Sequence, residues 1–428
     1  MIFENVAVLK ADGTYRPSCY VGIRGAYICY VGDAPPAEDY GERVDGKDLL
    51  LMPGFVNAHT HVAMTLLRGY GEDLPLQSWL FDRIFPFEDK LSAEAVYWGS
   101  LLGIAEMIMT GTTSFTDMYY FCDDTVRAVL ESGIKANIGR GISCFDETKR
   151  LADLPAFHET NALIAQYHGA ADGRILVDVA PHAEYTTRPD ILADAANLAA
   201  KHDLRMHIHL SETVDEHKAC VGRHGKTPAR LLEEVGMLSR PLTVAHGVWL
   251  TDDDVACLSQ HDVTLAHCAK SNLKLASGVA PVDKYRRTGL SVAIGTDSAA
   301  SNNALDMLDE MRVAALLAKG VGLRADALPA ADVLNMGTRV GALSQGRDDC
   351  GDIAEGYRAD FVVMNTTDIG LCPQHAPLSN VLYGAGSRAV AMTVVDGRIL
   401  YRNGEFLTLD MERVRFEVQR AVDHITGK

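Results

Sequence analysis

The sequence predicts an α/β barrel flanked by a small β domain, and three observations support this prediction. Between about residues 55 and 300, short β-branched segments alternate with longer segments of helical periodicity, which is typical of βαβ units and a parallel sheet. Eight such strand segments occur, the number that closes a TIM barrel. The two ends of the chain contain short apolar segments and glycine-rich turns without helices between them.

The barrel elements can be located one by one. Helix starts are marked by capping residues, as at Ser92 with Glu94 in the first turn and at Thr251 followed by three aspartates. The predicted strands, in order, are GFVNAHTH, TTSFTDM, KANIGRG, ILVDVAPH, LRMHIHL, LTVAHG, VTLAHC and LSVAIGTD. We therefore predict a (β/α)8 catalytic barrel over residues 55–346.

The flanking segments are predicted to form one composite domain. Residues 1–54 include YVGIRGAYICYVGDA, and residues 347–428 include ADFVVMN and MTVVDGRILYRNG before a C-terminal helix. Asp396-Gly397 between apolar segments is a strong hairpin signal. Because each end alone is too small to bury a core, we expect the two ends to pair as a small β-sandwich.

Composition excludes several classes of protein. The chain has 428 residues, 47% of them hydrophobic and 23% charged, so it is neither disordered nor fibrous. The formal net charge of −17 argues against a nucleic-acid partner and indicates a solvated surface. The nine cysteines include no C-x-x-C pair, and we find neither a signal peptide nor an apolar run of about 18 residues. We expect a cytoplasmic protein with reduced thiols and no membrane partner.

Polar residues occur at the carboxyl ends of all eight predicted barrel strands, where TIM-barrel active sites are built. They are, in strand order, His59 with His61, Asp117, Arg140, His182, His209, His246, His267 and Asp297. Because parallel strands end on the same face of a barrel, these side chains are predicted to converge.

His59 and His61 form a His-x-His pair whose side chains share one face of a strand, about 6.6 Å apart. The pair alone is weak evidence for a metal, since most histidines are exposed or simply hydrogen-bonded. With His209 and Asp297 at later strand ends, the set supplies three imidazoles and one carboxylate, which suits Zn²⁺, Fe²⁺ or Mn²⁺. In some barrels a modified lysine on the fourth strand bridges two metal ions, but this strand has no lysine. We therefore expect a single metal ion, with Zn²⁺ favoured. His207 is a rival ligand, which we interpret as a structural residue deeper in the barrel.

Asp297 and Glu212 are the candidate proton-transfer residues. A metal-bound water has a depressed pKa, and Asp297 can both bind the ion and accept the proton of the water. Attack on an aromatic amidine also requires protonation of the ring nitrogen, and Glu212, in HLSE after the fifth strand, is suitably placed. On composition alone, a capping or surface role for Glu212 is equally compatible. His246 can hydrogen-bond the hydroxide, the alternative being a buried core histidine.

Several longer motifs add a family resemblance. They are PGFVNAHTHVAMTLLRGYGEDLPLQSWL, HLSET, VAHG, SNLKLASGVAPV and GTDSAASNNALDMLDEMR. Over about residues 50–345 the chain resembles the amidohydrolase superfamily, specifically its 5-methylthioadenosine/S-adenosylhomocysteine deaminases. The resemblance implies a metal-dependent hydrolase that deaminates 5-methylthioadenosine, S-adenosylhomocysteine, 5′-deoxyadenosine or adenosine to the inosine analogue and ammonia. The alternative is a deaminase or chlorohydrolase acting on guanine, 8-oxoguanine, a pterin or a triazine.

The resemblance also implies roles for individual residues in metal binding and proton transfer. The implied metal ligands are His59, His61, His209 and Asp297. Glu212 is the implied proton shuttle to the purine N1, and His246 the implied contact to the hydroxide. Relatives commonly self-associate, so the resemblance further implies a homo-oligomer.

For the substrate, the resemblance implies a second group of residues. Glu88 is expected to hold both ribose hydroxyls, although a solvated loop carboxylate beside Asp89 is the alternative. Trp79 is expected to line the nucleoside pocket, His182 to contact the substrate, and Ser301 to contact the base.

The 5′ end of the substrate is the least constrained part of the prediction. Arg140 matches an arginine with which relatives bind the carboxylate of S-adenosylhomocysteine, whereas Arg150 matches a second one only after a small gap. The turn after the fourth strand reads PHAEY instead of a P-H-S-P type, and Glu184 places a negative charge near the expected carboxylate. We therefore predict a preference for a small or neutral 5′ group, with S-adenosylhomocysteine slower.

Overall fold

A computed structural model describes residues 1–427, and its strands form two sheets. The strands are β1 (Ile2–Leu9), β2 (Tyr15–Arg24), β3 (Tyr27–Gly32), β4 (Arg43–Asp45), β5 (Leu49–Pro53), β6 (Phe55–Thr60), β7 (Thr112–Tyr119), β8 (Lys135–Ile142), β9 (Ile175–Pro181), β10 (Met206–Leu210), β11 (Leu242–His246), β12 (Val263–His267), β13 (Ser291–Ile294), β14 (Phe361–Asn365), β15 (Val390–Val395), β16 (Arg398–Arg402) and β17 (Glu405–Phe406).

Most of the α-helices lie between or after the strands β6 to β13, and the last helix ends the chain. They are α1 (Leu76–Trp79), α2 (Phe85–Glu88), α3 (Ala93–Met109), α4 (Cys122–Ser132), α5 (Pro155–Tyr167), α6 (Ala170–Gly173), α7 (Pro189–His202), α8 (Val214–His224), α9 (Pro228–Glu234), α10 (Asp252–Leu258), α11 (Ala269–Lys274), α12 (Val282–Arg287), α13 (Ala299–Asn302), α14 (Met307–Gly322), α15 (Ala330–Met336), α16 (Arg339–Ser344), α17 (Pro377–Ser379) and α18 (Met411–Thr426). A π-helical turn over Leu80–Ile84 joins α1 to α2.

Strands β6 to β13 form the predicted barrel. They are parallel and neighbour one another in chain order. The first and last strands meet just beyond β13, where the backbone N–H of Asp297 donates to the carbonyl of His59 at 3.0 Å. The N–H of Thr296 donates to the side-chain oxygen of Asn57, also at 3.0 Å. This closure brings the two most distant parts of the barrel sequence to one place, and the predicted fold class is confirmed.

The predicted helix starts are confirmed as well. The Ser92 hydroxyl accepts from the backbone N–H of Ala95 at the start of α3. Thr251 and Asp254 cap α10 reciprocally, each side chain accepting from the backbone N–H of the other. These bonds satisfy amide groups that have no partner within the helix, which is why short polar residues mark helix starts.

The two ends of the chain form the other sheet together. Its nine strands are β1 to β5 and β14 to β17, and the two ends join where β5 pairs antiparallel with β14. Phe3 and Phe361, one from each end, pack edge to face in its core with ring centroids 5.6 Å apart. Asp396 and Gly397, with φ of +48° and +73°, make the tight β15–β16 hairpin. The composite β domain is therefore present; its limits at residues 54 and 347 remain a prediction.

The C-terminal helix α18 covers part of the barrel. Its apolar side packs against α3, and Arg420 forms an ion pair with Glu94 at 2.9 Å. Within residues 1–427, none of the helices combines the length and apolarity that crossing a bilayer requires. All nine cysteines are free thiols.

Candidate active site

A cavity of about 680 Å³, here called the inner cavity, opens at the carboxyl ends of the barrel strands. The polar part of its lining includes residues predicted from the strand ends and from HLSE: His61, His182, His209, Glu212, His246 and Asp297. His59 is completely buried beside them. The structure thus brings together the residues that the sequence assigned to metal binding and proton transfer.

The four predicted metal ligands face one another. The Nε2 atoms of His61 and His209 are 3.2 Å apart. Oδ1 of Asp297 lies 3.5 Å from Nε2 of His59 and 3.4 Å from Nε2 of His61. Nε2 of His59 has no hydrogen-bond partner among the described residues although it is buried. An unsatisfied buried nitrogen is costly unless a further group binds it.

Hydrogen bonds from the protein fix the tautomers of two of these histidines. Nδ1 of His61 bonds to the carbonyl of Met118 at 2.5 Å, and Nδ1 of His209 to the carbonyl of His182 at 2.7 Å. Because a carbonyl only accepts, each Nδ1 carries the proton and each Nε2 presents a lone pair to the cluster. This is the arrangement of an imidazole prepared to bind a metal ion.

His207 lies behind His59. Its Nε2 is 2.7 Å from Nδ1 of His59, and the two rings stack with centroids 4.9 Å apart. It lines neither the inner cavity nor the cluster of ligand atoms. This position agrees with the interpretation of His207 as a structural residue that orients its neighbour.

The donor set fits a divalent metal ion. Ligand atoms of His59, His61 and Asp297 lie within 4.8 Å of one another, as do those of His59, His209 and His246. Burial lowers the pKa of His59 to about 4 and that of His209 well below its usual value, so both imidazoles are neutral at pH 7. Neutral imidazoles with one carboxylate are the ligands that Zn²⁺ and similar ions bind.

Two serine hydroxyls hold the carboxylate of Asp297. Ser271 Oγ donates to Oδ2 at 2.6 Å and Ser301 Oγ at 2.8 Å, which leaves Oδ1 directed at the histidines. Ser301 is fully buried and lines no part of the cavity. The short helix α13 directs the Ser301 hydroxyl to Asp297, and the contact of Ser301 with a substrate base stays a prediction.

Glu212 and His246 lie next to this cluster. Oε2 of Glu212 is 3.8 Å from Nε2 of His246, and Oε1 accepts from Ser277 Oγ at 3.3 Å. Burial raises the pKa of Glu212, which favours the protonated form that a proton donor requires. Nδ1 of His246 bonds to Oδ1 of Asn272 at 2.9 Å, so the opposite ring nitrogen faces Glu212.

The backbone around these residues is held in unusual conformations. His246 has φ of +74°, Asp297 +58° and Ser211 +48°, all in the left-handed region. The loop carrying Glu212 is fixed by Glu216, whose carboxylate accepts from the backbone N–H groups of Ser211 at 2.8 Å and Glu212 at 2.7 Å. Such strain is concentrated at functional sites. Glu216 lies outside the strand-end pattern that identifies the other site residues; the capping pattern T-x-x-E, starting at residue 213, is the signal that could indicate it.

Trp79 and Glu88, the residues predicted to line the nucleoside pocket and to hold the ribose, also line the inner cavity. Trp79 lines it together with apolar residues of the 76–85 segment. Oε1 of Glu88 accepts from the hydroxyl of Tyr119 at 2.7 Å. Burial raises the pKa of Glu88 to about 7. Tyr119 was not predicted, although its position at the end of β7 is the same signal that identified the other site residues.

A larger outer cavity of about 1390 Å³ adjoins the inner one. The two share five lining residues: Phe85, Glu88, Tyr120, Ser143 and His182. Arg140 lines the outer cavity, with its guanidinium 4.8 Å from the centre of the Tyr120 ring. His182 therefore occupies the boundary between the two cavities, and Arg140 lies beyond it.

The structure separates other predicted residues from the cavities. Arg150 is exposed before a short turn, where its backbone N–H donates to Asp153 at 2.9 Å, and it lines neither cavity. Glu184 is buried and accepts from Nη2 of Arg223 with both oxygens at 2.7 Å, so its charge is neutralised away from the site. Neither side chain lines a cavity, and the contact of Arg150 with the substrate stays a prediction.

Two other strand-end residues, Asp117 and His267, line neither cavity. Asp117 accepts from the backbone N–H of Val62 at 2.6 Å, and burial raises its pKa to about 7. His267 is buried and lines neither cavity. A position at a strand end therefore places a residue on the correct face, but the direction of its side chain depends on its neighbours.

Known proteins resemble this chain in sequence. Residues 50–400 match the model of the Amidohydrolase family. The chain is 42% identical, over 95% of its length and 94% of the other, to a protein of Desulforamulus reducens named 5-methylthioadenosine/S-adenosylhomocysteine deaminase. It is 43% identical, over 90% of each chain, to a protein of Methanosphaera stadtmanae named 5′-deoxyadenosine deaminase.

Solved structures resemble it as well. An adenosine deaminase from Xanthomonas campestris with bound zinc superposes with a TM-score of 0.93 at 33% identity, covering 100% of this chain and 98% of that one. A zinc complex of an atrazine chlorohydrolase from Arthrobacter aurescens has a TM-score of 0.92 at 23% identity, covering 98% and 99%. The second likeness concerns the fold alone.

Proposed function

The chain belongs to the amidohydrolase family, and from that premise we propose that it is a metal-dependent aminohydrolase of 5′-modified adenosines. The names of relatives with 42% and 43% identity support this substrate class. The observation that carries the proposal is one cavity lined both by predicted metal ligands beside Glu212 and by the partly buried Glu88.

The proposed reaction replaces an amino group by oxygen. Water adds to C6 of the adenine ring, the bond from C6 to the amino nitrogen breaks, ammonia leaves, and the inosine analogue remains. Asp297 accepts one proton of the attacking water and passes it to the departing amino group, which leaves as ammonia. Glu212 gives a proton to N1, so that negative charge does not accumulate in the ring, and takes up the second proton of the water as the C6 carbonyl forms. His246, with Nε2 facing Glu212, is suited to stabilise the attacking oxygen by a hydrogen bond.

The residues that would hold the metal ion are His59, His61, His209 and Asp297. A divalent ion bound there supplies Lewis acidity, which lowers the pKa of water by many units. We propose Zn²⁺, which the zinc-bound relative with 33% identity supports, with Fe²⁺ and Mn²⁺ as the ions that the same ligands also accept.

For the nucleoside, we propose that Glu88 accepts hydrogen bonds from the ribose hydroxyls and that Trp79 packs against the substrate. His182 would contact the substrate where the two cavities meet. Ser301, which donates to Oδ2 of Asp297, would act as a positioning residue for that carboxylate. A cytoplasmic location and a homo-oligomeric state complete the proposal, resting on the reduced thiols and on the family resemblance.

A substrate panel tests the proposed function. Ammonia release would be measured with metal-analysed protein on four adenosines (5-methylthioadenosine, 5′-deoxyadenosine, adenosine and S-adenosylhomocysteine) and on guanine, a pterin and a triazine. We expect turnover of adenosines only, and its loss in Glu212→Gln with the metal retained. Faster turnover of a free base or a triazine than of every nucleoside would overturn the proposal in favour of the other N-heterocycle enzymes.

Glu88→Ala tests how the nucleoside is held. Removing a carboxylate that binds two hydroxyls should lower kcat/KM for adenosine by roughly 10- to 100-fold, since a hydrogen bond to a charged group contributes about 1.5–3 kcal/mol. Inhibition by free adenine, which has no ribose, should not change. Asp89→Ala is the matched control, because Asp89 is adjacent and lines only the outer cavity. Equal losses for adenosine and adenine would contradict the assignment.

A further inference from the structure

The two cavities divide the proposed substrate into three parts. If the adenine ring lies beside Glu212 and the ribose at Glu88, the 5′ substituent enters the outer cavity, because Glu88 lines both cavities. This assignment rests on the proposed function. The lining of the outer cavity then decides which 5′ substituents are accepted.

The outer cavity is strongly acidic. Its described lining contains one cationic side chain, that of Arg140, and five acidic residues: Glu88, Asp89, Asp123, Asp124 and Glu159. Its apolar lining includes Phe85, Phe121 and Phe145. An anionic substituent would meet repulsion from several carboxylates, whereas a neutral alkylthio group would find aromatic surface.

The cation is also already engaged within the protein. Nε of Arg140 donates to Oε2 of Glu159, and Nη1 donates to the carbonyl of Gly141. The Arg140 side chain is 15% exposed, but that of Glu159, on α5, is 51% exposed. A substrate carboxylate that sought Arg140 would therefore have to compete with Glu159 for it.

We propose that Glu159 is a specificity-determining residue: by occupying Arg140, it disfavours substrates with a carboxylate at the 5′ end and favours neutral substituents. While Arg140 is paired with Glu159, a substrate carboxylate gains little from approaching it. To bind Arg140 directly, the carboxylate must replace the charge-assisted hydrogen bond to Glu159, and breaking that bond costs free energy. The discrimination thus depends on the pair and not on Arg140 alone.

The experiment compares kcat/KM for S-adenosylhomocysteine with kcat/KM for 5-methylthioadenosine, in the wild type, Glu159→Gln and Glu159→Ala. Releasing Arg140 should raise the ratio of the two values by roughly tenfold, the scale of one hydrogen bond to a charged group. Adding Arg140→Met to Glu159→Gln should abolish the rise. Glu147→Gln is the matched control, because it removes an exposed charge that lines neither cavity and should leave the ratio unchanged.

The outcomes separate this inference from the proposed function. A wild type that deaminates 5-methylthioadenosine, with a ratio that stays constant or falls in both Glu159 variants, overturns only the role of Glu159. A fall would mean that Glu159 positions Arg140 for the carboxylate. A wild type that prefers S-adenosylhomocysteine also overturns the inference, and one that deaminates no adenosine overturns the proposed function with it.

Discussion

Both ends of the barrel bury charged and polar groups, but the partners of these groups differ between the two ends. At the carboxyl ends of the strands, here called the catalytic end, the side chains of His59, His61, His209 and Asp297 direct ligand atoms at one another. At the opposite side, here called the closed end, Lys135 opens β8 and contacts the composite β domain. The comparison distinguishes groups prepared for a ligand from groups that hold the fold together.

At the closed end, Lys135 and Arg347 are held by protein partners. Lys135 is 2% exposed and pairs with Asp360 and, at 2.7 Å, with Asp396. Nη1 of Arg347 donates to the carbonyl of Gly173 at 2.6 Å. These contacts connect the barrel to the terminal sheet across long stretches of sequence. Buried charges of this kind are stable only as a complete set.

The carboxyl groups at the two ends show the same difference. Although burial acts to raise the pKa of Asp360, the ammonium of Lys135 holds it below its usual value. Glu88, at the mouth of the catalytic end, has a hydroxyl partner instead of a cation, and burial raises its pKa to about 7. The presence of a neighbouring cation, more than burial itself, decides whether a carboxyl group is ionised.

The largest expected effect is that of His209→Ala on activity. Loss of one ligand should reduce the bound metal to background. It should also lower kcat/KM by about 10³-fold or more, the scale seen when a hydrolase loses a group that stabilises its transition state. The metal-free forms of variant and wild type should unfold within about 1 kcal/mol of each other, because these groups do not support the fold.

Elemental analysis, ammonia release and urea unfolding measure these quantities. His375→Ala, which changes an exposed histidine in a loop, is the matched control. A metal-free His209→Ala protein that unfolds far more easily than metal-free wild type would remove the distinction between the two ends.

Lys135→Met should have the next largest effect, on stability instead of activity. It leaves Asp360 and Asp396 without their ammonium partner, and breaking a buried ion pair costs about 3–5 kcal/mol. The midpoint of urea unfolding should fall accordingly, while kcat/KM per folded molecule stays constant. The exposed Lys201, changed to Met, should move the midpoint little. A selective loss of activity without loss of stability would contradict a structural role for the closed end.

The smallest expected effect is on the pH dependence of stability. The Glu88 carboxyl has a pKa of about 7 in the folded protein against a usual 4.5, so the folded state retains a proton between these values that the unfolded state loses. Its contribution to stability is present below about pH 4.5 and is lost as pH rises towards 7. Glu88→Gln should flatten the dependence of the unfolding free energy on pH in this range, measured by urea titrations. An unchanged slope would show that Glu88 is ionised when buried.

Much of the site follows from the sequence because parallel strands end on one face. The eight strands, the convergence of His59, His61, His209 and Asp297, and the place of Glu212 just after β10 require only strand periodicity and the closure of a barrel. Capping patterns located helix starts for a similar reason, since they depend on residues three positions apart.

The contacts that the sequence does not predict depend on partners far away in the chain. Glu184 pairs with Arg223, 39 residues later. The hydroxyl of Ser301 holds Asp297, a contact that strand periodicity does not indicate. Arg140 lines the outer cavity, and its engagement by Glu159 from α5 does not follow from any sequence pattern.

The sequence by itself therefore determined the barrel, the composite β domain and the set of residues at the catalytic end, because those follow from local periodicity and from the common direction of the strands. Only the tertiary structure decided which charges are paired, which serine supports a carboxylate, and that the cation of the outer cavity is already occupied. Side-chain direction and charge pairing are set by contacts between segments that periodicity does not relate.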